Sequence, residues 1–188
     1  MAEDPFVDLA LDIASAVVRP PLRVVRGACL FYELVIDNRL NLTVDPRNPA
    51  RGRSAFETDL CVFDDVAPDT SLPRVVLEFK KSITTHDILT YSAKAKRHKQ
   101  VYPYLRYGVV SSADRSIPKR FFTHNDGLDF FFALGGLDPS SVAPALATLL
   151  TQEIASSRRL EQVSFGTVNA RVYRSEVFLS PDGKNAID

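Results

Sequence analysis

The chain has 188 residues, 23 basic and 23 acidic side chains and a hydrophobic fraction of 45%. This composition excludes a disordered chain and suits one domain over 1–188. No apolar run approaches the roughly 18 residues of a membrane-spanning helix. Cys29 and Cys61 lack the spacing of a zinc site or disulfide framework. The N-terminus is acidic, without a readable secretory signal, so the sequence predicts a cytoplasmic protein with no membrane partner.

The zero net charge hides an uneven distribution along the chain. Residues 1–72 carry 7 basic and 12 acidic side chains, and residues 125–188 carry 5 and 8. Residues 73–124 carry 11 basic and 3 acidic side chains. A concentrated basic segment favours an anion-binding face, for which nucleic acid is the commonest partner, whereas a solvated basic helix is the simpler alternative.

The first half of the chain is predicted to contain two helices and one strand. Apolar residues at helical spacing predict a helix over 6–18, which a proline pair ends. A second apolar stretch predicts a helix over 24–40. Alternating side chains predict a strand over 55–63, and a polar connection is expected over 64–73.

Strands and helices alternate in the second half. The predicted elements are a strand over 74–83, a helix from Thr84 or Thr85 to about Tyr102, strands over 107–112 and 129–134, a helix over 140–163 and a hairpin over 168–179. This order predicts an α/β protein with a mixed central sheet flanked by helices. We expect a core over roughly 25–135, with 136–188 as a C-terminal appendage.

Acidic residues at strand positions are the most informative feature. Glu78 and Lys80 are two apart in an apolar strand, so their side chains leave the same face. Asp59 lies on the preceding strand, and a hairpin-like connection would bring it beside Glu78. Two carboxylates and a lysine at strand ends can bind a hard divalent cation and orient a water towards a phosphate. The alternative is a Glu–Lys salt bridge with an unrelated exposed Asp.

This pattern resembles the PD-(D/E)xK nuclease superfamily, whose members share an αβββαβ core and include many restriction endonucleases. Asp59, Glu78 and Lys80 match its catalytic set, and Glu33 matches the additional helical glutamate that many members use. Thr58 stands where the motif's name puts proline. The resemblance covers roughly residues 25–112 and implies catalysis with Mg²⁺, for which Mn²⁺ can substitute. Asp59, Glu78 and Glu33 are the implied metal ligands.

The segment after Lys80 extends the resemblance. Gln100 and Tyr104 resemble the QxxxY element of the branch close to recombination exonucleases, although a helix end with a core aromatic explains them equally well. Basic residues on the preceding helix are expected to contact phosphates. The predicted DNA-binding residues are Lys81, Lys94, Arg97, Lys99, Gln100 and Tyr104.

These features predict a Mg²⁺-dependent endonuclease of double-stranded DNA, first of the restriction type. A repair or recombination nuclease, such as a junction-resolving enzyme, is the second hypothesis. A DNA-binding module without catalysis is the alternative of another class, and a structural or protein-interaction role is the third option. Because a palindromic duplex presents two equivalent phosphates, we expect a homodimer. The apolar stripe of the 140–163 helix either helps to form that dimer or packs on its own sheet.

Overall fold

A five-stranded mixed sheet forms the centre of the molecule. The computed structural model describes residues 4–166 and 168–177. Its elements are α1 (Asp4–Val17), β1 (Leu22–Arg26), β2 (Cys29–Phe31), β3 (Ala55–Glu57), β4 (Leu60–Ala67), β5 (Thr70–Lys80), α2 (Thr85–Val101), β6 (Arg106–Ser111), α3 (Lys119–His124), β7 (Phe130–Ala133) and α4 (Pro139–Phe165).

The strand order in the sheet is β1-β4-β5-β6-β7. The first three strands are antiparallel neighbours, whereas β5, β6 and β7 run parallel. Helix α2 makes the crossover from β5 to β6, as a parallel pair requires. Strands β2 and β3 form a separate two-stranded ribbon, inserted in the chain between β1 and β4. The predicted α/β class with a mixed, helix-flanked sheet is therefore confirmed.

The two faces of the sheet carry separate apolar cores. Alternate residues of β5 point to opposite faces, so Val75 and Leu77 pack against α1 and α4. Val76 packs on the other face, with Ile88 and Ala95 of α2. Glu78 and Lys80 are two and four residues after Val76, so their side chains leave the same face of β5 as that of Val76, and Glu78 contacts α2. The alternation of side chains along β5 thus directs the ExK pair towards α2.

The predicted helix over 24–40 is wrong. Residues Val24 and Val25 lie in β1, where they pair with Val62 and Cys61. Gly27 then turns the chain with a positive φ of 66°, which favours glycine, and leads into β2. The stretch consists of short strands and irregular chain because the β-branched Val24 and Val25 pair with β4, and β2 pairs with β3. The helix that precedes the first strand is α1, so the core begins earlier than residue 25.

Two other boundaries differ from the prediction. The strand over 55–63 is two strands, β3 and β4, in different sheets. The expected connection over 64–73 is mostly strand, because β4 and β5 extend to a tight turn between Ala67 and Thr70. Asp64 was expected in the connection because it is charged, but it is buried in β4 and pairs at 3.1 Å with Arg74, the first residue of the predicted strand.

The predicted helices in the second half are present. The hydroxyl of Thr84 accepts from the backbone N–H of Asp87, and the Asp87 carboxylate accepts from the backbone N–H of Thr84, so a capping box starts α2. The apolar stripe of α4 packs on the protein's own sheet through Leu146, Leu150 and Ile154. Residues 168–177 form no strand of the predicted hairpin, whose remaining positions lie outside the described residues. None of the described helices has the length and apolarity to cross a membrane.

Candidate functional site

Asp59 lies in the bend between β3 and β4, where the chain passes from the ribbon to the main sheet. Its carboxylate accepts a hydrogen bond from the backbone N–H of Phe79 at 2.7 Å. The β4–β5 ladder ends at the Leu60–Leu77 pair, so this carboxylate takes the place of the next ladder acceptor. The bond holds Asp59 beside the residue that follows Glu78.

Thr58 explains why the bend needs no proline. Its backbone N–H and its hydroxyl both donate to the carbonyl of Ala28, each at 2.9 Å. Proline could supply neither donor. Thr58 is almost fully buried, so these two bonds anchor the residue that precedes Asp59.

Glu78 is a buried carboxylate, with 2% of its surface exposed. Its Oε1 accepts from Lys94 Nζ on α2 at 2.6 Å. The same oxygen accepts a short hydrogen bond from the hydroxyl of Tyr107 on β6. Burial of a carboxylate is costly without such partners, so α2 and β6 both supply donors that hold Glu78 in place.

Electrostatic coupling connects the two carboxylates. Burial raises the pKa of Glu78, the charge of Asp59 raises it further, and Lys94 opposes both effects. Burial and the Glu78 charge also raise the pKa of Tyr107 well above its usual value, so its hydroxyl keeps the proton that it donates. Asp59 and Glu78 therefore belong to one electrostatic unit.

Lys80 ends β5 on the same face and is half-exposed. Its Nζ lies 6.0 Å from the ring centroid of Tyr91 on α2. Burial raises the pKa of Tyr91 to about 12, the charges of Glu78 and Asp59 also raise it, and Lys80 lowers it. Lys80 therefore lies next to Tyr91 of α2, on the face of β5 that also carries Glu78.

Glu33 does not join this group as predicted. It lies in irregular chain after β2 rather than on a helix, because the predicted helix over 24–40 is absent. Its carboxylate accepts from the hydroxyl of Ser54 at 3.1 Å. Within residues 4–166 and 168–177, no three Asp, Glu, His or Cys side chains form a group that could hold a metal ion. The acidic site is thus the pair Asp59 and Glu78.

A pair of carboxylates fits Mg²⁺ in particular. Mg²⁺ keeps several waters and is commonly held by one or two carboxylates together with substrate phosphates. Asp59 is half-buried and is bound to the backbone of Phe79, and Glu78, the residue before Phe79, is buried. The donor set is all oxygen, which a hard divalent cation prefers. Asp59 and Glu78 would be the protein ligands of such an ion.

The basic residues of α2 divide into three environments. Lys94 turns inward and, besides Glu78, donates to the backbone carbonyl of Glu57 at 2.6 Å, so it serves the acidic pair rather than open surface. Lys99 forms an ion pair with Asp129 at 2.6 Å, so its ammonium group is directed at Asp129 rather than at a phosphate. Arg97 is exposed, as DNA contact requires.

The predicted QxxxY element is not assembled at the acidic site. Tyr104 is buried, and the Arg74 guanidinium lies 5.4 Å from its ring centroid. Arg74 precedes Glu78 by four strand residues, about 13 Å along β5. Tyr104 therefore packs at the opposite end of the sheet, and its predicted role beside the scissile phosphate is corrected. Gln100 and Lys81 have exposed side chains, and their predicted DNA contacts stay predictions.

Sequence reasoning missed both tyrosines of the site. Tyr91 and Lys94 are three apart on α2, which places them on one helix face. The buried residues Ser92, Ala95 and His98 border that face. The spacing of Tyr91 and Lys94 could therefore have predicted that both face the same neighbour. The position of Tyr107 could not be predicted in this way, because it depends on the β5–β6 register, which pairs Val76 with Tyr107.

A groove of about 400 Å³ adjoins the acidic pair. Tyr32, Arg51, Phe56 and Glu57 contribute to its walls, and Lys94 lies at its boundary with Glu78. The groove therefore shares one side chain with the acidic site.

No family model matches the chain, and no curated protein matches it significantly.

Proposed function

We propose that this protein is a metal-dependent phosphodiester hydrolase. The observation that carries the proposal is that the Asp59 carboxylate is bound at 2.7 Å to the backbone N–H of Phe79, the residue between Glu78 and Lys80, whose side chains leave the same face of β5. Three residues that were selected from sequence for one chemistry lie together although 19 residues or more separate Asp59 from the other two. A salt-bridged Glu–Lys pair with an unrelated exposed Asp does not account for this arrangement, since Asp59 is half-buried and its carboxylate is bound to the backbone directly after Glu78.

More specifically, we assign it to the PD-(D/E)xK type of DNA nuclease. The order α1, β1, β4, β5, α2, β6 supports this assignment, because it has the αβββαβ sequence that the resemblance implies. The antiparallel β1-β4-β5 strands, followed by the α2 crossover to a parallel β6, agree with a mixed sheet of that kind. The β2–β3 ribbon is an insertion in this scheme.

Each residue of the site has a defined task in the proposed reaction. Asp59 and Glu78 would hold Mg²⁺, which would supply neutralisation of phosphate charge and a lower pKa for a bound water. Lys80 orients the attacking water and stabilises the negative charge that develops on the phosphate. The water gives up a proton to solvent as its oxygen bonds to phosphorus, the bond between phosphorus and the leaving sugar oxygen breaks, and the leaving sugar oxygen takes up a proton from solvent. Lys94 and Tyr107 keep Glu78 in position.

Cleavage assays test the assignment directly. Plasmid and linear DNA are incubated with Mg²⁺ or Mn²⁺ and wild-type protein, Asp59→Asn or Lys80→Met. We expect each variant to lose at least about 100-fold in rate. The exposed residues Asp126 and Lys119 provide matched controls, Asp126→Asn and Lys119→Met, which we expect to cleave at close to the wild-type rate.

Two outcomes would refute the proposal. Equal cleavage by wild type, Asp59→Asn and Lys80→Met would trace the activity to another site or to a contaminant. Salt-sensitive DNA binding without cleavage in either metal would favour a binding module without catalysis. Sequencing of the product ends separates a restriction enzyme, which cuts at a fixed site, from a repair nuclease, which cuts according to DNA structure.

A further inference from the structure

Exposed aromatic rings form one wall of the groove beside the acidic pair. Tyr32 and Phe56 are stacked, with ring centroids 4.1 Å apart and an interplanar angle of 21°. Phe56 is 41% exposed, although burial of a phenylalanine side chain strongly favours the folded state. An accessible aromatic stack is the structure on which unpaired nucleobases bind, because every base has a π-face.

The walls of the same groove carry positive charge. Arg51 has an 80% exposed side chain and pairs with Glu57 at 3.2 Å. Arg51 and Lys94 are the basic residues of the lining, and Glu57 is its acidic residue. A solvent-exposed ion pair such as Arg51–Glu57 contributes little to stability, so Arg51 can exchange it for a phosphate at small cost. The groove thus offers an aromatic surface to a base and a guanidinium to its phosphate.

The groove and the acidic pair are linked through a single side chain. Lys94 Nζ donates at 2.6 Å to Glu78 Oε1 and at 2.6 Å to the carbonyl of Glu57. Glu57 is two residues before Asp59 in the chain. A nucleotide in the groove would therefore be adjacent to a phosphate at Asp59 and Glu78.

We infer that the groove binds one unpaired nucleotide of the DNA substrate, with its base on the Tyr32–Phe56 stack and its phosphate against Arg51. Its volume of about 400 Å³ lies within the range of sites for small organic ligands. Bases in an intact duplex are paired and stacked on each other and reach such a wall only after unpairing, whereas bases of a single strand reach it without that cost. The substrate class is therefore DNA with a single-stranded end, flap or junction, which favours the repair type over the restriction type. The inference about which DNA is cleaved rests on the proposed hydrolase function. The inference that the groove binds a nucleotide does not rest on it.

Binding measurements without metal test this inference independently of catalysis. Fluorescence anisotropy in EDTA compares a labelled single-stranded 12-mer with a blunt duplex of the same sequence. The proteins are wild type, Phe56→Leu, Phe56→Tyr and Phe122→Leu, the last a control because Phe122 is 58% exposed on α3. We expect Phe56→Leu to weaken single-strand binding about tenfold. Phe56→Tyr and Phe122→Leu keep the wild-type affinity, and duplex affinity changes in none of them.

Each result decides the inference. Unchanged single-strand affinity in Phe56→Leu, tighter wild-type binding to blunt duplex, or no wild-type binding to single strands would overturn it. If Phe56→Leu is unfolded by circular dichroism, Arg51→Gln takes its place, with an expected loss of severalfold for the single strand only; an unchanged affinity again overturns the inference. Single-strand binding that depends on Phe56, combined with no cleavage in Mg²⁺ or Mn²⁺, refutes the hydrolase while the nucleotide site stands.

Discussion

Lys94 is the counter-ion of Glu78. Its replacement distinguishes a site that binds a metal ion from a buried ion pair that only stabilises the fold. In Lys94→Met the Glu78 carboxylate, 2% exposed, keeps the repulsion of Asp59 and loses its cation. The attraction across the 2.6 Å contact is about 6 kcal/mol at an effective dielectric constant of 20. The desolvation of Lys94 offsets part of this, so we expect a loss of about 3 kcal/mol in the free energy of unfolding.

Mg²⁺ should restore most of that loss if Asp59 and Glu78 bind it. An ion present at 100 times its dissociation constant stabilises the folded state by about 2.7 kcal/mol. Wild type should gain less, because the ammonium of Lys94 competes with the ion for Glu78 Oε1. The double variant Lys94→Met/Glu78→Gln removes the buried charge, so it should recover stability without metal and respond little to Mg²⁺.

Urea unfolding followed by circular dichroism measures these differences. Each protein is unfolded with Mg²⁺ and with NaCl at matched ionic strength, which controls for general screening. The reasoning fails if Lys94→Met is as stable as wild type without metal. It also fails if Mg²⁺ stabilises Lys94→Met no more than the double variant.

Three further predictions concern groups around the site and the opposite end of the sheet. Burial lowers the pKa of His98 from 6.5 to about 4, so between these values the folded protein binds fewer protons than the unfolded chain. Stability should therefore fall by about 2 kcal/mol from pH 7 to pH 5, and urea unfolding of His98→Gln should lack this component; equal slopes contradict the assignment. Tyr107→Phe removes a donor from a buried carboxylate and should cost about 1–3 kcal/mol in urea unfolding, an expectation that wild-type stability would disprove. Asp64→Asn should cost about 1–3 kcal/mol because the buried Arg74 loses one of its two carboxylate partners and keeps Glu161, whereas Asp65→Asn at an exposed pair should cost less than about 1 kcal/mol; similar losses in both would contradict the role of burial.

Local signals predicted the elements that position most of the site. The capping residue Thr84 and the apolar spacing after it predict α2 to within a residue or two. The ExK spacing in β5 predicts that Glu78 and Lys80 share a face, and both indeed contact α2. These features depend on residues close together in the chain, where periodicity and capping chemistry act directly.

Errors arose where distant partners decide the local structure. Residues 24–40 are apolar enough for a helix, but their first part forms strands because it pairs with β4 and β3. Asp64 is of a residue type that is typical of loops, but in the fold it is buried in β4 as a counter-charge of Arg74. Such pairings override local propensity because burial and ladder hydrogen bonds outweigh differences of a few tenths of a kcal/mol per residue.

The amino-acid sequence alone determined the chemistry available to this protein: two carboxylates and a lysine at strand positions, followed by a basic helix. Only the tertiary structure decided how that chemistry is distributed. It turned Lys94 inward to Glu78, buried Tyr104 at the far end of the sheet and left Glu33 outside the acidic pair. The physical reason is that the direction of a side chain depends on the register and packing of elements far apart in the chain, which no spacing within one segment encodes.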